Sequence, residues 1–406
     1  MICADVTDGL RCLPDVSVDA IVTDPPYELG FMGKKWDASG IAASVELWRE
    51  ALRVLKPGAH LLAFGGTRTY HRMTCAIEDA GFEIRDCIQW IYGSGFPKSL
   101  DVSKAIDKAA GATRTEVVGT KLGRPGMAKD GANQSFDSSV NTYGRGGVLS
   151  SDITAPATDE ARQWNGWGTA LKPACEPIVV ARKPLIGTVA ENVLEHGTGA
   201  LNIDACRIEG TKPIVRPIDS DSRWPANVAL DEEAAAMLDE QSGELTSGNN
   251  PAVRHTPKTG DIYGLGFGDQ CGVRRATDSG GASRFFYTAK ADRTERNDGL
   301  EEFDARTTDD GRETSIDNPF LRGETKRRNH HPTVKPIALM RWLVRLITPP
   351  NGVVLDPFVG SGSTGCAAIG EGFNFIGIDR EVEYIEIARA RIRNIAPLFA
   401  REEASA

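Results

Sequence analysis

The chain has 406 residues, with 47 Lys and Arg against 56 Asp and Glu, and a formal net charge of −9 at pH 7. Its 40 % hydrophobic and 25 % charged residues are ordinary for a soluble globular protein. The sequence has no apolar run of about 18 residues, which argues against a membrane span, and its first residues do not resemble a secretory signal. The eight cysteines form no Cys-x-x-Cys pair, so we expect reduced thiols, no metal site and a cytoplasmic protein.

Residues 1–110 alternate strand-like and helix-like patterns. Residues 18–22 form a buried-strand pattern that stops at Thr23-Asp24-Pro25-Pro26-Tyr27. Apolar residues at helical spacing follow at 42–55, and 60–64 has the pattern of the next strand. Strands that alternate with helices of this length predict an α/β fold with a parallel sheet.

The middle of the chain is less regular than its two ends. Residues 111–168 form a Gly-rich insert, and residues 169–230 return to the first domain through a predicted strand at 176–181. Residues 231–330 are irregular and charged, apart from a helix predicted at 232–240. Residues 331–396 are strongly patterned, and 397–406 form a tail. This last patterned part predicts helices at 337–347 and 382–395, strands at 353–355 and 373–378, and a helix that ends at 369.

A glycine-rich turn follows the strand predicted at 353–355. Gly360, Gly362 and Gly365 satisfy the G-x-G-x-x-G pattern of dinucleotide-binding folds, and Asp379 lies where a ribose-binding carboxylate belongs. A pyrophosphate, however, needs a helix N-terminus without a competing anion, and Asp356 places a carboxylate at the mouth of this turn. A carboxylate suits a ligand that is cationic there, such as the ammonium of S-adenosylmethionine. The alternative is a turn that only packs a helix on a sheet.

A second motif, Asp24-Pro25-Pro26-Tyr27, comes directly after a strand. The two prolines fix φ and remove N–H donors, so their neighbouring carbonyl oxygens stay free. An acidic side chain and a free carbonyl group form a rigid acceptor pair that suits an exocyclic amino group, and Tyr27 offers a flat face for stacking. A Pro-Pro turn that serves only as scaffolding is the alternative.

Together the two motifs resemble those of the β-type amino-methylating DNA methyltransferases of bacteria and phages, which act on adenine N6 or cytosine N4. His331-Pro332-Thr333 with Lys335 also resembles a segment of that family. The resemblance covers roughly 1–110, 170–190 and 331–396. It implies a Rossmann-like S-adenosylmethionine-dependent sheet with helices on both faces, a permuted motif order and an inserted recognition region, for which 231–330 is the candidate.

The resemblance also implies roles for individual residues. Asp24 and the Pro25 carbonyl would bind the target amino group, and Tyr27 would stack on the extruded base; the predicted catalytic residues are Asp24, Pro25, Pro26 and Tyr27. Asp379 would bind the ribose, Asp5 would lie near the adenine, and Thr333 and Lys335 would close the methionine side. The predicted cofactor-binding residues are Asp5, Thr333, Lys335, Asp356, Phe358, Gly360, Gly362 and Asp379.

Local basic clusters are the candidates for DNA contacts. Between Arg322 and Arg345 there are seven basic residues against one acidic residue, Glu324, and a solvated charged face is the alternative to a phosphate-binding surface. Trp164 and Trp167 are favoured as packing residues over wedges between bases. The predicted DNA-binding residues are Arg322, Lys326, Arg327 and Arg328, with Arg124, Lys129 and Arg145 in the Gly-rich insert.

We therefore predict methyl transfer from S-adenosylmethionine to a base amino group of DNA, with double-stranded DNA as the favoured form. Adenine N6 is favoured over cytosine N4 because Asp at the first motif position leans that way in the family. The remoter alternatives are an NAD-dependent oxidoreductase, supported only by the glycine pattern, and a non-catalytic DNA-binding relative. A homodimer and a separate restriction nuclease stay open as partners.

Overall fold

The structure is a computed structural model that describes residues 1–29, 39–93, 95, 99–122, 150–208, 223–246, 279–289, 295–307 and 326–395. The elements up to residue 196 are β1 (Ile2–Cys3), α1 (Val6–Arg11), β2 (Val18–Thr23), α2 (Val45–Val54), β3 (Leu55–Phe64), α3 (Tyr70–Asp79), β4 (Glu83–Ile91), α4 (Val102–Ala109), β5 (Val117–Leu122), β6 (Ser150–Thr154), α5 (Asp159–Gln163), β7 (Cys175–Arg182) and α6 (Val189–His196). The later elements are β8 (Val228–Asp231), α7 (Glu232–Ser242), β9 (Leu245–Thr246), β10 (Ser279–Gly280), β11 (Tyr287–Ala289), β12 (Arg306–Thr307), β13 (Lys326–Arg327), α8 (Ile337–Ile347), β14 (Val353–Asp356), α9 (Ser363–Gly370), β15 (Asn374–Asp379) and α10 (Val382–Ile395).

Nine strands form one twisted sheet in the order β1-β15-β14-β2-β3-β7-β4-β8-β11. Eight of them share one direction, and β7 runs antiparallel to its neighbours β3 and β4. The predicted α/β fold with a largely parallel sheet is confirmed. Over the part of the chain that the structure describes, no helix has the length and apolar character needed to cross a membrane.

Helices cover both faces of this sheet because its central strands are apolar on both sides. Every residue of β2 is buried, and its side chains alternate between two clusters. Ile21 packs in the cluster that contains Trp48 of α2, whereas Val22 packs in the cluster that contains Leu343 of α8. Burying one such aliphatic side chain stabilises the fold by about 1.5–3 kcal/mol. The strands are packed between the two layers of helices, which fixes the positions of the strand ends.

A cleft is expected where neighbouring parallel strands send their connections in opposite directions. This occurs between β14 and β2, which pair through Leu355 and Ile21. The chain leaves β14 through α9 towards β15, on one side, and leaves β2 through α2 towards β3, on the other. The glycine-rich turn and the Asp24–Tyr27 motif follow these two strands, so the topology brings both motifs to one edge of the sheet.

Part of the range 231–330, the candidate recognition region, contributes to the main sheet. Strand β11 from this range pairs with β8 and forms the edge of the sheet. The backbone carbonyl of Glu295, also in this range, accepts a hydrogen bond from Arg391 of α10 at 3.1 Å. These parts of 231–330 therefore belong to the sheet domain. Sequence patterns do not predict this, because the partners of an edge strand lie far away in the chain.

Candidate functional site

A cavity of about 1230 Å³ opens at the carboxyl ends of β2 and β14. Its lining includes all four residues of the Asp24–Tyr27 motif and the turn that contains Phe358 and Gly360. Asp5, Thr333, Lys335, Asp356 and Asp379 line it as well, whereas Gly362 does not. The structure thus brings together the two distant motifs and nearly all of the residues that the sequence assigns to them.

The glycines of the turn are required by backbone shape and by close packing. Gly360 and Gly362 have φ values of +48° and +83°, which are left-handed conformations. A Cβ atom on Gly362 would lie 2.9 Å from the Cα atom of Ala388 in α10. A Cβ atom on Gly365 would lie 2.3 Å from the side chain of Ile392. Gly362 and Gly365 therefore serve helix packing, which was the alternative considered for this motif.

The backbone N–H groups of this turn are largely used within the protein. Phe358 N donates to Asp356 Oδ1 at 3.0 Å, and Gly360 N donates to Asp379 Oδ2 at 3.0 Å. Val359 N and Gly362 N donate to backbone carbonyl oxygens at 3.0 and 2.8 Å. A diphosphate cradle needs such N–H groups to be free. This geometry therefore gives the dinucleotide interpretation of the glycine pattern no support.

Asp356 joins the ends of the two central strands. Its Oδ1 accepts from the Thr23 hydroxyl group at 2.7 Å, and its Oδ2 accepts from the Thr364 hydroxyl group at 2.5 Å. Burial raises the pKa of Asp356 to about 6, although these hydrogen bonds oppose the shift. Because Oδ1 already accepts two bonds, Asp356 can act on a cation in the cavity mainly through its charge and through Oδ2.

Two further carboxylates lie at or just beyond the ends of the neighbouring strands β15 and β1. Cys3 of β1 pairs with Asp379 of β15, which places Asp5 and Asp379 on the same side of the cavity. Asp5 caps α1 by accepting from Thr7 N at 3.0 Å. Asp379 accepts one backbone N–H on each oxygen, from Gly360 and Glu381, and burial raises its pKa. Each oxygen of Asp379 keeps a second acceptor position for a ligand.

Asp24 has one engaged and one unengaged carboxylate oxygen. Its Oδ2 lies 2.9 Å from the ammonium group of Lys335. Its Oδ1 is buried and has no hydrogen-bond partner among the described residues. A buried acceptor without a partner costs about 1–3 kcal/mol, so a donor on a ligand would remove an unfavourable term already present in the protein.

Lys335 lies at the centre of a buried charge cluster with Asp24, Tyr27 and Glu176. Its ammonium group is 3.0 Å from Glu176 Oε2 and donates to the Tyr27 hydroxyl group at 3.0 Å. Burial opposes the charge of Lys335, which is only 8 % exposed, but Asp24 and Glu176 together raise its pKa above the ordinary value. The ammonium group also lies 5.2 Å from the Tyr27 ring centroid and 4.9 Å from that of Phe64.

The same cluster fixes the ring of Tyr27. The Tyr27 hydroxyl group donates to Glu176 Oε2 at 2.9 Å while it accepts from Lys335. Burial raises the pKa of Tyr27 well above its ordinary value, and the charges of Asp24 and Glu176 add to the shift. A neutral tyrosine held at its hydroxyl end can present its ring face to a planar ligand in one orientation.

The ammonium group of Lys335 contacts the residues that follow β2, because the chain before α8 passes close to Asp24. Its place on the methionine side of the cofactor stays a prediction. Glu176 was missed altogether. Its strand, β7, gives no distinctive signal, because Arg182 is a second charged residue in the same strand.

Two further residues, His331 and Arg391, support the site, and neither has an individual role in the sequence-based predictions. Burial lowers the pKa of His331 to about 4, so its ring is neutral at pH 7. Its Nδ1 lies 2.6 Å from the carbonyl oxygen of the exposed residue Thr333 and must donate, since a carbonyl group only accepts. Arg391 of α10 is buried and donates to the Ser361 carbonyl oxygen at 2.6 Å, so it holds the glycine-rich turn against α10.

The structure tests little of the predicted DNA-binding set. Arg328 is exposed, and the backbone of Lys326 and Arg327 forms the short strand β13. The other members lie outside the described residues: Arg322, Arg124, Lys129 and Arg145. Two further cations of the basic stretch, Arg341 and Arg345, are paired with Glu371 at 2.5 and 2.7 Å.

The sheet and the cleft between its two motif-bearing strands define a Rossmann-like α/β domain whose cavity is lined by both motifs. The chain belongs to the DNA methylase family of N6 and N4 methyltransferases, whose family model matches residues 18–118 and 162–390, well over half of the sequence.

Characterised relatives match shorter segments. The type II methyltransferase M.HinfI of Haemophilus influenzae is 48 % identical over 67 residues, which are 16 % of this chain and 19 % of the relative. The type II methyltransferase M2.MboI of Moraxella bovis is 38 % identical over 84 residues, which are 21 % of this chain and 31 % of the relative. The matched segments thus span less than a third of either relative.

Solved structures show a distant likeness over nearly the whole length. The PvuII DNA methyltransferase, named as cytosine-N4-specific, is 13 % identical with a TM-score of 0.42, and the match covers 100 % of this chain and 92 % of the other.

Proposed function

We propose that this chain transfers a methyl group from S-adenosylmethionine to the exocyclic amino group of a base in double-stranded DNA, with adenine N6 favoured over cytosine N4. One observation carries the proposal. The buried Oδ1 of Asp24 has no partner among the described residues, and Asp24 lines the same cavity as the acidic glycine turn. A base amino group is the kind of donor that this acceptor lacks.

The residues around the turn fit a cationic cofactor without phosphate. Asp356, Asp379 and Asp5 supply negative charge, and four N–H groups of the turn are occupied within the protein. Asp379 would accept from ribose hydroxyl groups, Asp5 would lie near the adenine, and Phe358 and Gly360 would line the methionine part. When bound, S-adenosylmethionine supplies a methyl group that is already activated by its sulfonium.

The remaining groups would prepare the nitrogen for attack. The amino group of a base is a poor nucleophile because its lone pair is delocalised into the ring. A hydrogen bond to Asp24 Oδ1 favours a pyramidal nitrogen and localises that pair. Lys335 holds Oδ2 of the same carboxylate, and Glu176 and Lys335 hold the Tyr27 ring, so acceptor and stacking face are fixed before the base enters. In the transfer the N–C bond would form as the C–S bond breaks, the neutral thioether S-adenosylhomocysteine would leave, and the proton lost from the nitrogen would pass to the solvent.

The test is nucleoside analysis of DNA treated with the protein and S-adenosylmethionine. Mass spectrometry of the digested DNA should detect N6-methyladenine, and Asp24→Ala should abolish it while cofactor binding, measured by calorimetry, is retained. Detection of N4-methylcytosine alone would overturn the preference for adenine. If neither methylated base forms with the unmodified protein, or if Asp24→Ala turns over normally, the proposal fails.

A further inference from the structure

The segment from residue 169 to 174 forms one lip of the cavity. Thr169, Ala170, Leu171, Lys172, Pro173 and Ala174 all line it. Leu171 is 92 % exposed, the highest value among the large hydrophobic residues of the described chain. An isolated exposed leucine is unremarkable in general, but this one lies at the entrance of the proposed site.

The backbone on both sides of Leu171 is held in place by hydrogen bonds. Thr169 N donates to Ser99 Oγ at 2.9 Å, and Leu100 N donates to Thr169 Oγ1 at 3.0 Å. On the other side, Tyr92 N donates to the Ala174 carbonyl oxygen at 3.0 Å, and the Lys172 ammonium group donates to the Gly93 carbonyl oxygen at 2.6 Å. Leu171 is therefore presented to solvent from an anchored backbone.

Two aromatic side chains precede Leu171 on the same stretch of chain. Trp164 and Trp167 are 40 % and 60 % exposed, and their rings contact each other edge to face with centroids 5.0 Å apart. Both therefore lie at the surface, where they pack against each other and not in the core. Exposed apolar groups that gather on one stretch of chain mark a surface that a partner covers.

We infer that Leu171 enters the DNA duplex and fills the space left by the extruded base, while Trp164 and Trp167 pack against the neighbouring nucleotides. The inference rests on the proposed function, because only a base taken from a duplex leaves such a gap. Extrusion costs a few kcal/mol, and apolar side chains inserted into the stack are a known means of offsetting that cost. The exposed Arg68 lines the same cavity and provides positive charge for the adjoining phosphates.

The test separates extrusion from methyl transfer. The recognised duplex, first located by modified-base sequencing, is compared with the same duplex carrying an abasic site opposite the target base, which removes the base pair to be broken. We expect Leu171→Ala to slow methylation of the paired duplex about tenfold and to leave the unpaired duplex within about twofold of the unmodified protein. The matched control is Leu194→Ala in α6, which is 87 % exposed but does not line the cavity; it should change neither rate.

Three outcomes would overturn the inference. Leu171→Ala could methylate the paired duplex normally, or it could lose activity equally on both duplexes, which would indicate a role in the site itself. The variant could instead convert a dimer into a monomer in analytical ultracentrifugation, which would assign the lip to contacts between copies of the chain. Failure of the unmodified protein to methylate any DNA is a separate result, which refutes the proposed function and this inference with it.

Discussion

At the scale of single residues, Lys335 is a buried cation whose charge depends on the groups around it. One ammonium group faces two carboxylates and a tyrosine hydroxyl group in a buried cluster. Removing one partner of a buried ion pair leaves uncompensated charge, which costs about 3–5 kcal/mol. We propose that Lys335 is a positioning residue that acts through Asp24.

Lys335→Met should therefore lower methyl transfer by at least about 100-fold and reduce the free energy of unfolding by about 3 kcal/mol. Adding Glu176→Gln removes one of the two facing carboxylates and should restore part of the stability but not the activity. Lys335→Arg, which keeps the charge, is the control for stability. Methylation assays and urea unfolding measure the two effects. Recovery of activity in the double variant would contradict a positioning role.

Asp356 should give the site a measurable pH dependence. Its pKa is raised to about 6 by burial, so in the folded protein it is protonated below that value and charged above it. Affinity for a cationic cofactor should therefore fall as pH falls through about 6. The same shift means that ionising Asp356 disfavours the folded state; this penalty is absent below the unfolded pKa of about 4 and complete above about 6.

Calorimetric titration of S-adenosylmethionine between pH 5 and 8 checks this expectation. Asp356→Asn should weaken binding about tenfold at pH 8, as expected for a lost charge interaction, and should flatten the dependence near pH 6. His331, with a pKa lowered to about 4, is uncharged across this range. NAD serves as the ligand control and should not bind at pH 5 or at pH 8. A slope that persists unchanged in Asp356→Asn would assign the titration to another group, with Asp379 as the first candidate.

At the scale of elements, the packing of α10 against the glycine turn depends on Gly362. Both Gly362 and Gly372 have left-handed φ values, +83° and +81°, but a Cβ atom meets Ala388 at the first and nothing within 4 Å at the second. Gly372→Ala should therefore cost only the backbone penalty of about 1–2 kcal/mol. Gly362→Ala should cost about 1–3 kcal/mol more through overpacking and weaken cofactor binding. Equal losses of unfolding free energy in urea would show that the contact with α10 is unimportant.

The sequence allowed some elements to be predicted closely. α8 and α10 were predicted with the observed bounds because their apolar residues recur at helical spacing. β3 was predicted at 60–64 but begins at Leu55, since Lys56-Pro57-Gly58 reads locally as the end of a helix. Glu176 could not be assigned from its neighbours, because its partners Tyr27 and Lys335 come from far away in the chain.

At the scale of the whole molecule, the meeting of the two motifs could be predicted because the carboxyl ends of parallel strands share one edge of a sheet. The reversed direction of β7 and the addition of β8 and β11 could not. Those pairings join segments whose local patterns contain no information about their partners. The sequence therefore located the chemistry of the site better than the full extent of the sheet.

The hydrogen bond from Thr23 to Asp356 has a consequence for the order and strength of ligand binding. Thr23 immediately precedes Asp24. A ligand that moves Asp356 or changes its charge is therefore expected to shift Asp24 as well. Two ligands that share such a connection are thermodynamically linked, and each must change the affinity of the other by the same factor. Binding of a ligand beside Asp356 is therefore expected to change the affinity of the cleft for a ligand beside Asp24.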